Sequence, residues 1–307
     1  MYYAAWMEKI GLQGGCMEIV KKRRPGEIAW GFFQLCHPGP VLFHIIAVTM
    51  IALLAAWPTL IWSTIALVVS AHTAMQLSIA ILNDYCDRRL DASSKKSKPI
   101  PLGLVRPREA LITGLLLIGL MLLLLLALNP LALLISLVYL ALGQGYNLGL
   151  KSTPLSGIVF ALAIPLIPVY AFIGVGRFLP IVFWLVPVAS LLGIALNLAN
   201  ALPDIEEDAA NKARTLAVVL GIQRSFIACP FLILLSVSLI GILTVTRTVP
   251  AQSWIIVPTL LFACLAVIFM LSLSGSQKPV STRKPYFYAV VLTCLVLASG
   301  WLIGVLV

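Results

Sequence analysis

The segment LIWSTIALVVSAHTAMQLSIAILNDYCDRRLD, residues 60–91, joins a long apolar run to a cluster of acidic residues. Its apolar part, residues 60–82, is long enough to cross a bilayer, which takes about 20 residues of helix. Asn83, Asp87 and Asp91 follow at intervals of four. Residues four apart lie one above another on the same face of an α-helix. The segment therefore predicts a membrane helix that ends in a polar stripe.

A second stripe with the same spacing, Asn200, Asp204 and Asp208, also follows a long apolar run. Seven of the 11 Asp and Glu residues fall in the two motifs, residues 83–91 and 200–208. Carboxylates this close repel one another unless a cation neutralises them, and oxygen ligands without paired His or Cys favour Mg²⁺. Two facing stripes predict a Mg²⁺ site. The alternative is a pair of solvated acidic loops that cap the following helices.

The composition excludes an ordinary soluble domain. The chain has 307 residues, of which 61% are hydrophobic and 10% charged, with a mean hydropathy of +1.06. These values are typical of an all-α, polytopic membrane protein embedded in a lipid bilayer. Nine spans are predicted, near residues 36–57, 60–82, 109–128, 131–149, 155–175, 180–202, 225–246, 253–273 and 286–306.

The net charge of +10 is explained by membrane orientation rather than by nucleic-acid binding. With the N-terminus inside, 19 of the 21 Lys and Arg residues lie on the cytoplasmic side, and only Arg177 and Arg247 lie outside. Cytoplasmic loops of membrane proteins carry this excess of basic residues. We expect a multi-pass integral membrane protein, of the plasma or inner membrane if the source is bacterial, with its N-terminus in the cytoplasm, its C-terminus on the opposite side and both acidic motifs cytoplasmic.

The chain divides into a basic cytoplasmic segment, residues 1–29, and a transmembrane domain, residues 30–307. Each acidic motif leads into a long charged stretch, residues 92–108 and residues 209–224, and such long connections often act as lids. An offset of 117 residues superimposes the two motifs. Both follow an even number of crossings after the first span, which predicts a parallel internal repeat with the binding site between its halves.

Carboxylates that bind Mg²⁺ at the mouth of an apolar helical bundle suit a diphosphate with a long hydrocarbon tail. Metal ions stabilise the charge that develops on a departing diphosphate. Arg88 lies between the aspartates of the first motif, and Lys151 follows another inward-running span, so both are candidate diphosphate ligands. Tyr146 and Lys151 also match an ordinary interfacial anchor, a Tyr followed by a Lys at the end of a span.

These residues resemble the UbiA superfamily of intramembrane prenyltransferases. The sequence Asn83-Asp84-Tyr85-Cys86-Asp87-Arg88-Arg89-Leu90-Asp91 is similar to its first acidic motif, and Asp204-Ile205-Glu206-Glu207-Asp208 is similar to its second. The element from Tyr146 to Lys151 and the segment from Arg214 to Val218 also resemble family elements. The resemblance covers most of residues 30–307.

The resemblance implies a nine-helix bundle around a central cavity that is accessible from the lipid. Mg²⁺ held by both motifs would bind a polyprenyl diphosphate, whose ionisation gives an allylic cation that a small acceptor captures. The implied metal ligands are Asn83, Asp84, Asp87, Asp91, Asp204 and Asp208. Arg88 and Lys151 would bind the diphosphate, and Tyr146 would contact it or shield the cation; Asp87, Asp204 and Tyr146 are the expected catalytic residues. The helical stripe adds Asn200 as a substrate ligand and Glu207 as a metal ligand.

The sequence departs from the family pattern before the first span. Many members have an Arg-Pro pair where this chain has Cys36-His37-Pro38, so a phosphate or acceptor contact is altered or missing. His37 is a candidate replacement, although a His beside a Pro is more often a structural hydrogen-bonding group. His44 and His72 lie deeper in apolar runs and are expected to be packing residues.

Three functions are consistent with these features. The first is prenyl transfer to an aromatic quinone precursor or to a glycerophosphate lipid. The second is cyclisation of the prenyl diphosphate without an acceptor. The third is cation-coupled transport, which also uses repeated membrane carboxylates. A transporter is expected to carry acids near the bilayer midplane, whereas every acid after Glu27 lies at a predicted cytoplasmic end.

Overall fold

The computed structural model describes residues 23–274 and 279–307, which form α-helices and short 3₁₀ turns without any β-strand. Most of the basic N-terminal segment, residues 1–22, lies outside the described residues, as does Lys278. The described helices are α1 (Pro25–Leu35), α2 (Pro38–Ala56), α3 (Trp62–Ser94), α4 (Pro107–Leu125), α5 (Pro130–Asn147), α6 (Ser156–Gly174), α7 (Ile181–Ala201), α8 (Ile205–Ala210), α9 (Leu216–Leu220), α10 (Ile222–Val245), α11 (Ser253–Leu273) and α12 (Arg283–Leu306).

Within the described ranges, nine helices are long and apolar enough to cross a membrane, namely α2 to α7 and α10 to α12. This confirms the predicted all-α polytopic architecture. Prolines start several of these helices, as at Pro38, Pro107 and Pro130. Proline is tolerated there because the first helical N–H has no partner within the helix. The Asn129 side chain caps α5 by accepting a hydrogen bond from the Leu131 N–H at 2.8 Å.

Helix α3 is longer than the span predicted from its apolar residues. It has 33 residues and therefore extends about 50 Å, well beyond a hydrocarbon core of about 30 Å. The predicted boundary at residue 82 reflects where the apolar run ends, whereas the helix continues through the first motif to Ser94. The first acidic stripe therefore lies on a continuous helix, as its spacing predicted.

The second motif does not form one continuous stripe. Helix α7 ends at Ala201, a 3₁₀ turn occupies Leu202–Asp204, and α8 begins at Ile205. Pro203 lies in this turn and has no N–H to continue an α-helical hydrogen-bond ladder. The expectation that Asn200, Asp204 and Asp208 share one helical face is therefore wrong.

The stretches after the two motifs are ordered by specific contacts. The first connection runs from Lys95 to Arg106, and its Ile100 and Val105 side chains are buried against Leu35 of α1, with Ile81 and Ala110. The second stretch contains α9 and the start of α10. Both predicted lids are thus packed segments in this structure, and whether they move remains a prediction.

Contacts between helices bring the two motifs together. Helix α2 packs against α3, α6 and α12, and α7 packs against α6, α10 and α12, so the first and last spans join the two halves of the chain. Large apolar residues such as Leu116, Leu126 and Leu265 are exposed and form a lipid-facing surface. Helices α3 and α7 end on the same side of the bundle, where side chains of the two motif regions meet. This is the arrangement expected of a parallel repeat.

Candidate active site

Two aspartates of the first motif share one lysine. Asp84 and Asp91 lie on α3 and are 3% and 4% exposed. The Lys98 ammonium lies 2.9 Å from an oxygen of each carboxylate. A buried carboxylate needs such a partner because its desolvation is costly. Lys98 therefore joins the site from the loop after the motif, a role that the sequence did not indicate.

His37 also contacts the first motif. Its Nε2 atom lies 3.1 Å from Asp84 Oδ1. His37 adopts φ 46 and ψ 62 in the short link between α1 and α2, which is a left-handed conformation uncommon for residues other than glycine. The contact agrees both with a structural hydrogen-bonding role for His37 and with a role in the site, so the role of His37 stays a prediction.

The remaining polar side chains of the first motif contact the end of α5 and the turn after it. Lys151 forms an ion pair with Asp87. Asn83 donates a hydrogen bond to the Asn147 side-chain oxygen at 2.9 Å, and Asn147 in turn donates to the Ile79 carbonyl at 2.9 Å. These contacts fix the α5 end against α3. The Asp87 contact favours a site role for Lys151 over that of a simple interfacial anchor.

Tyr146 lies between the two motifs. Its hydroxyl lies near the Asn197 side chain, and the charges of Asp87 and Asp208 both act on it. Its ring packs edge-on against Phe160 of α6, with centroids 5.5 Å apart. Asn197 is 1% exposed and was not among the predicted site residues. A buried amide in an apolar span is the signal that could have identified it.

Two carboxylates of the second motif form ion pairs with a lysine from the loop that follows the first motif. Lys95 Nζ lies 3.0 Å from Asp204 Oδ2 and 3.7 Å from Glu207 Oε2. Asp208 is half-buried nearby, whereas Asn200 is exposed at the end of α7. The 3₁₀ turn displaces Asn200 from the register assumed for it. Its assignment as a substrate ligand rests on that register and loses its geometric support.

Arg88 does not contact a motif carboxylate. Its guanidinium lies over the Tyr85 ring, 4.1 Å from the centroid, and donates a hydrogen bond to the Tyr85 carbonyl at 2.5 Å. Such cation–π contacts contribute about 0.5–1 kcal/mol at exposed sites. Arg88 would have to leave Tyr85 to bind a diphosphate, so its role remains a prediction.

Lysine ammonium groups contact both motifs where metal ions were expected. Among the described residues, no three His, Cys, Asp or Glu side chains are grouped closely enough to hold a metal ion. Burial lowers the pKa of Lys98, but the carboxylates of Asp84 and Asp91 outweigh it and raise the pKa above its usual value. Likewise, burial lowers the pKa of Lys95, and Asp204 and Glu207 raise it to a larger extent.

The chemistry of the donor set nonetheless suits a divalent metal, although the carboxylates would have to move closer together to bind one. Seven carboxylates belong to the two motifs, and Glu206 among them pairs with Arg283. Three lysines contact five of the other six and so neutralise only part of their charge; these six are Asp84, Asp87, Asp91, Asp204, Glu207 and Asp208. The Lys98 ammonium bridges two carboxylates as a monovalent stand-in for a metal ion. Oxygen-only donors of this kind suit Mg²⁺.

Comparison with known sequences identifies the family. A model of the UbiA prenyltransferase family matches residues 43–306. The chain belongs to this family. One relative is the 4-hydroxybenzoate octaprenyltransferase of Citrobacter koseri, which is 30% identical over 184 residues; the match covers 55% of this chain and 64% of the relative. The enzyme of the same name from Escherichia fergusonii is 30% identical over 190 residues, covering 57% and 66%. The chain thus matches slightly less than two thirds of each relative.

Solved structures of UbiA proteins share the fold. A digeranylgeranylglyceryl phosphate synthase structure has a TM-score of 0.69 at 18% identity, covering 91% of this chain and 99% of the other. A UbiA homologue from Archaeoglobus fulgidus, bound to GPP and Mg²⁺, has a TM-score of 0.68 at 19% identity, covering 89% and 99%. These likenesses establish the intramembrane prenyltransferase fold for this chain.

Proposed function

We propose that the protein is a Mg²⁺-dependent prenyltransferase that moves a prenyl chain from a polyprenyl diphosphate to a small acceptor. One observation carries the proposal: two carboxylate motifs, joined by lysines, meet at one end of an apolar nine-span bundle. A polar end can hold a diphosphate and an apolar bundle can hold its hydrocarbon tail. The family membership supports the same chemistry.

The residues divide into three roles. The metal-binding set is Asn83, Asp84, Asp87, Asp91, Asp204, Glu207 and Asp208, of which Glu207 shares Lys95 with Asp204. When bound, Mg²⁺ supplies charge neutralisation for the departing diphosphate. Lys151 is already next to Asp87 and binds the diphosphate as a point charge. Arg88 adds to this charge only after it leaves Tyr85, and Asn200 is the weakest member of the substrate-binding set.

Tyr146 faces the reacting end of the donor. It lies between the charges of both motifs, and its hydroxyl lies near the buried Asn197 side chain. Its ring face presents electron density that stabilises a nearby cation. Breaking the carbon–oxygen bond of the donor gives an allylic cation and diphosphate. A nucleophilic carbon or oxygen of the acceptor captures the cation and then loses its proton to the released diphosphate or to solvent. The buried surroundings keep water away from the cation.

An aromatic acceptor is favoured over a glycerophosphate lipid. The relatives from Citrobacter and Escherichia, at 30% identity, are named for 4-hydroxybenzoate, which is an aromatic acceptor. We infer that the site faces the cytoplasm, because the basic residues cluster at the same end as the motifs.

The test is diphosphate release and product formation by detergent-purified protein. Geranylgeranyl diphosphate is supplied with Mg²⁺ or EDTA and with either 4-hydroxybenzoate or glycerol phosphate. Asp87→Asn and Asp204→Asn each remove one charged metal ligand, and we expect a loss of about 100-fold or more, since metal stabilisation contributes several kcal/mol. Glu206→Gln is the matched control, because its carboxylate pairs with Arg283 rather than with the motif lysines.

The outcomes separate the candidate functions. Release that needs Mg²⁺, both aspartates and one acceptor supports transfer and identifies the acceptor class. Release without any acceptor indicates cyclisation or hydrolysis. If folded protein releases no diphosphate from any donor, the proposal is wrong, and Mg²⁺-coupled flux in proteoliposomes becomes the next measurement.

A further inference from the structure

Two lysines of a single loop each bridge carboxylates of a different motif. Lys98 contacts Asp84 and Asp91 of the first motif, both at 2.9 Å. Lys95 crosses to the second motif, where it contacts Asp204 at 3.0 Å and lies 3.7 Å from Glu207. The loop that follows the first motif therefore links the two halves of the chain through ion pairs.

The loop is built to hold these lysines in place. The Lys98 N–H donates to the Lys95 carbonyl at 3.0 Å, so the two side chains project from one tight turn. Further along, Ile100 and Val105 are buried against α1. At Gly31 of α1 a methyl group would lie 2.8 Å from the Val105 side chain, which shows how closely the helix and the loop approach.

A lysine and a divalent cation compete for the same carboxylate oxygens. Each ammonium uses its N–H groups on oxygens that a metal ion would take as ligands. Both cannot occupy one bridging position, because like charges at a few ångströms repel strongly in a partly buried site. An incoming metal ion must therefore displace the ammonium groups or bind around them.

We propose that Lys95 and Lys98 are positioning residues that act as resident counter-cations, holding the two motifs in the metal-free protein and leaving the carboxylates when a divalent cation binds. Metal binding is thereby coupled to movement of the turn at residues 95–98. The released ammonium groups remain beside the metal, where an anionic diphosphate provides new acceptors for them. This inference rests on the proposed function, since it takes the motifs as the Mg²⁺ site.

Amine labelling of the purified protein measures the release directly. A lysine engaged with two carboxylates reacts slowly, so Lys95 and Lys98 should be labelled more slowly than the exposed Lys96 in EDTA. Mg²⁺ alone, without donor, should raise their labelling rates at least about threefold relative to Lys96, as read by mass spectrometry of the loop peptide. Unchanged ratios in protein that demonstrably binds Mg²⁺ would overturn the inference.

A set of variants tests the same competition through metal affinity. Lys98→Met should lower the thermal midpoint in EDTA by a few degrees and tighten the apparent Mg²⁺ dissociation constant about tenfold, which corresponds to about 1.4 kcal/mol. Lys98→Arg keeps the charge and should restore the metal-free midpoint. Lys96→Met is the matched control and should change neither quantity.

The readouts separate this inference from the proposed function. If wild-type protein shows no thermal shift with Mg²⁺ alone yet releases diphosphate only when Mg²⁺ is present, the counter-cation inference fails and the proposed function stands. If it shows neither response to Mg²⁺, both proposals fail. If wild type binds Mg²⁺ and Lys98→Met binds it with equal or weaker affinity, only the counter-cation inference fails. Tighter Mg²⁺ binding by Lys98→Met together with a lower metal-free midpoint supports it.

Discussion

Asn147→Leu should lower both the stability of the protein and Mg²⁺ binding at the proposed metal site. Asn147 is 4% exposed, accepts a hydrogen bond from Asn83 at 2.9 Å and donates one to the Ile79 carbonyl at 2.9 Å. Leucine has a similar volume but makes neither bond. A side-chain hydrogen bond between membrane helices contributes about 0.6 kcal/mol on average, and one in a soluble protein about 0.5–1.5 kcal/mol. The two short bonds therefore predict a loss of about 1–3 kcal/mol in the free energy of unfolding, and the longer bond that Asn147 donates to Gln144 at 3.3 Å adds little.

The adjacent Gln144 provides a matched control on the same helix. Its Nε2 is buried without a partner, and its Oε1 accepts only a long bond of 3.3 Å from Asn147. Gln144→Leu removes this unpaired group and should be nearly neutral. Denaturant titration in detergent gives both free energies, and a Mg²⁺ titration should show weaker binding only for Asn147→Leu, because it frees Asn83. Equal destabilisation by the two variants would refute the assigned role of the Asn83–Asn147 bond.

Three further substitutions test packing and site contacts. Gly193→Ala places a methyl group 2.5 Å from a backbone carbonyl oxygen of α6 and should lower the thermal midpoint by many degrees. Gly143→Ala is its control, because the added methyl group lies 2.6 Å from the flexible end of a side chain and should lower the midpoint much less. A larger loss for Gly143→Ala than for Gly193→Ala would contradict this packing. His37→Ala should reduce turnover without unfolding the protein, because it removes a contact at 3.1 Å to Asp84; unchanged kinetics would assign His37 a structural role. Gly31→Leu should separate α1 from the adjacent loop and accelerate proteolysis of that loop, and wild-type cleavage rates would exclude this.

Local periodicity predicted most of the fold. The nine spans follow from apolar runs of about 20 residues, and the stripe on α3 follows from spacing of four. The errors arise where one residue overrides a local pattern. Pro203 introduces a 3₁₀ turn that changes the register of the second motif, although the spacing of its acidic residues matches that of the first.

The site contacts that the sequence did not predict are long-range. Lys95 contacts Asp204 across 109 positions, and Tyr146 contacts Asn197 across the bundle. Periodicity reports which residues share a face of their own helix, but it does not report which face of another helix lies opposite. The sequence places Lys95 and Lys98 only in a charged stretch. Which carboxylates they pair with depends on how the two halves of the chain pack together.

The charge at the site constrains the order in which ligands bind. Three lysines contact five motif carboxylates, those of Asp84, Asp87, Asp91, Asp204 and Glu207, so the carboxylates outnumber the ammonium groups that pair with them. A diphosphate is itself an anion and would be repelled at the short distances involved. Divalent cations reverse this sign and supply ligands for its oxygens. The donor is therefore expected to enter with its metal ions or after them, and an apolar tail alone would not hold a metal-free diphosphate against this repulsion.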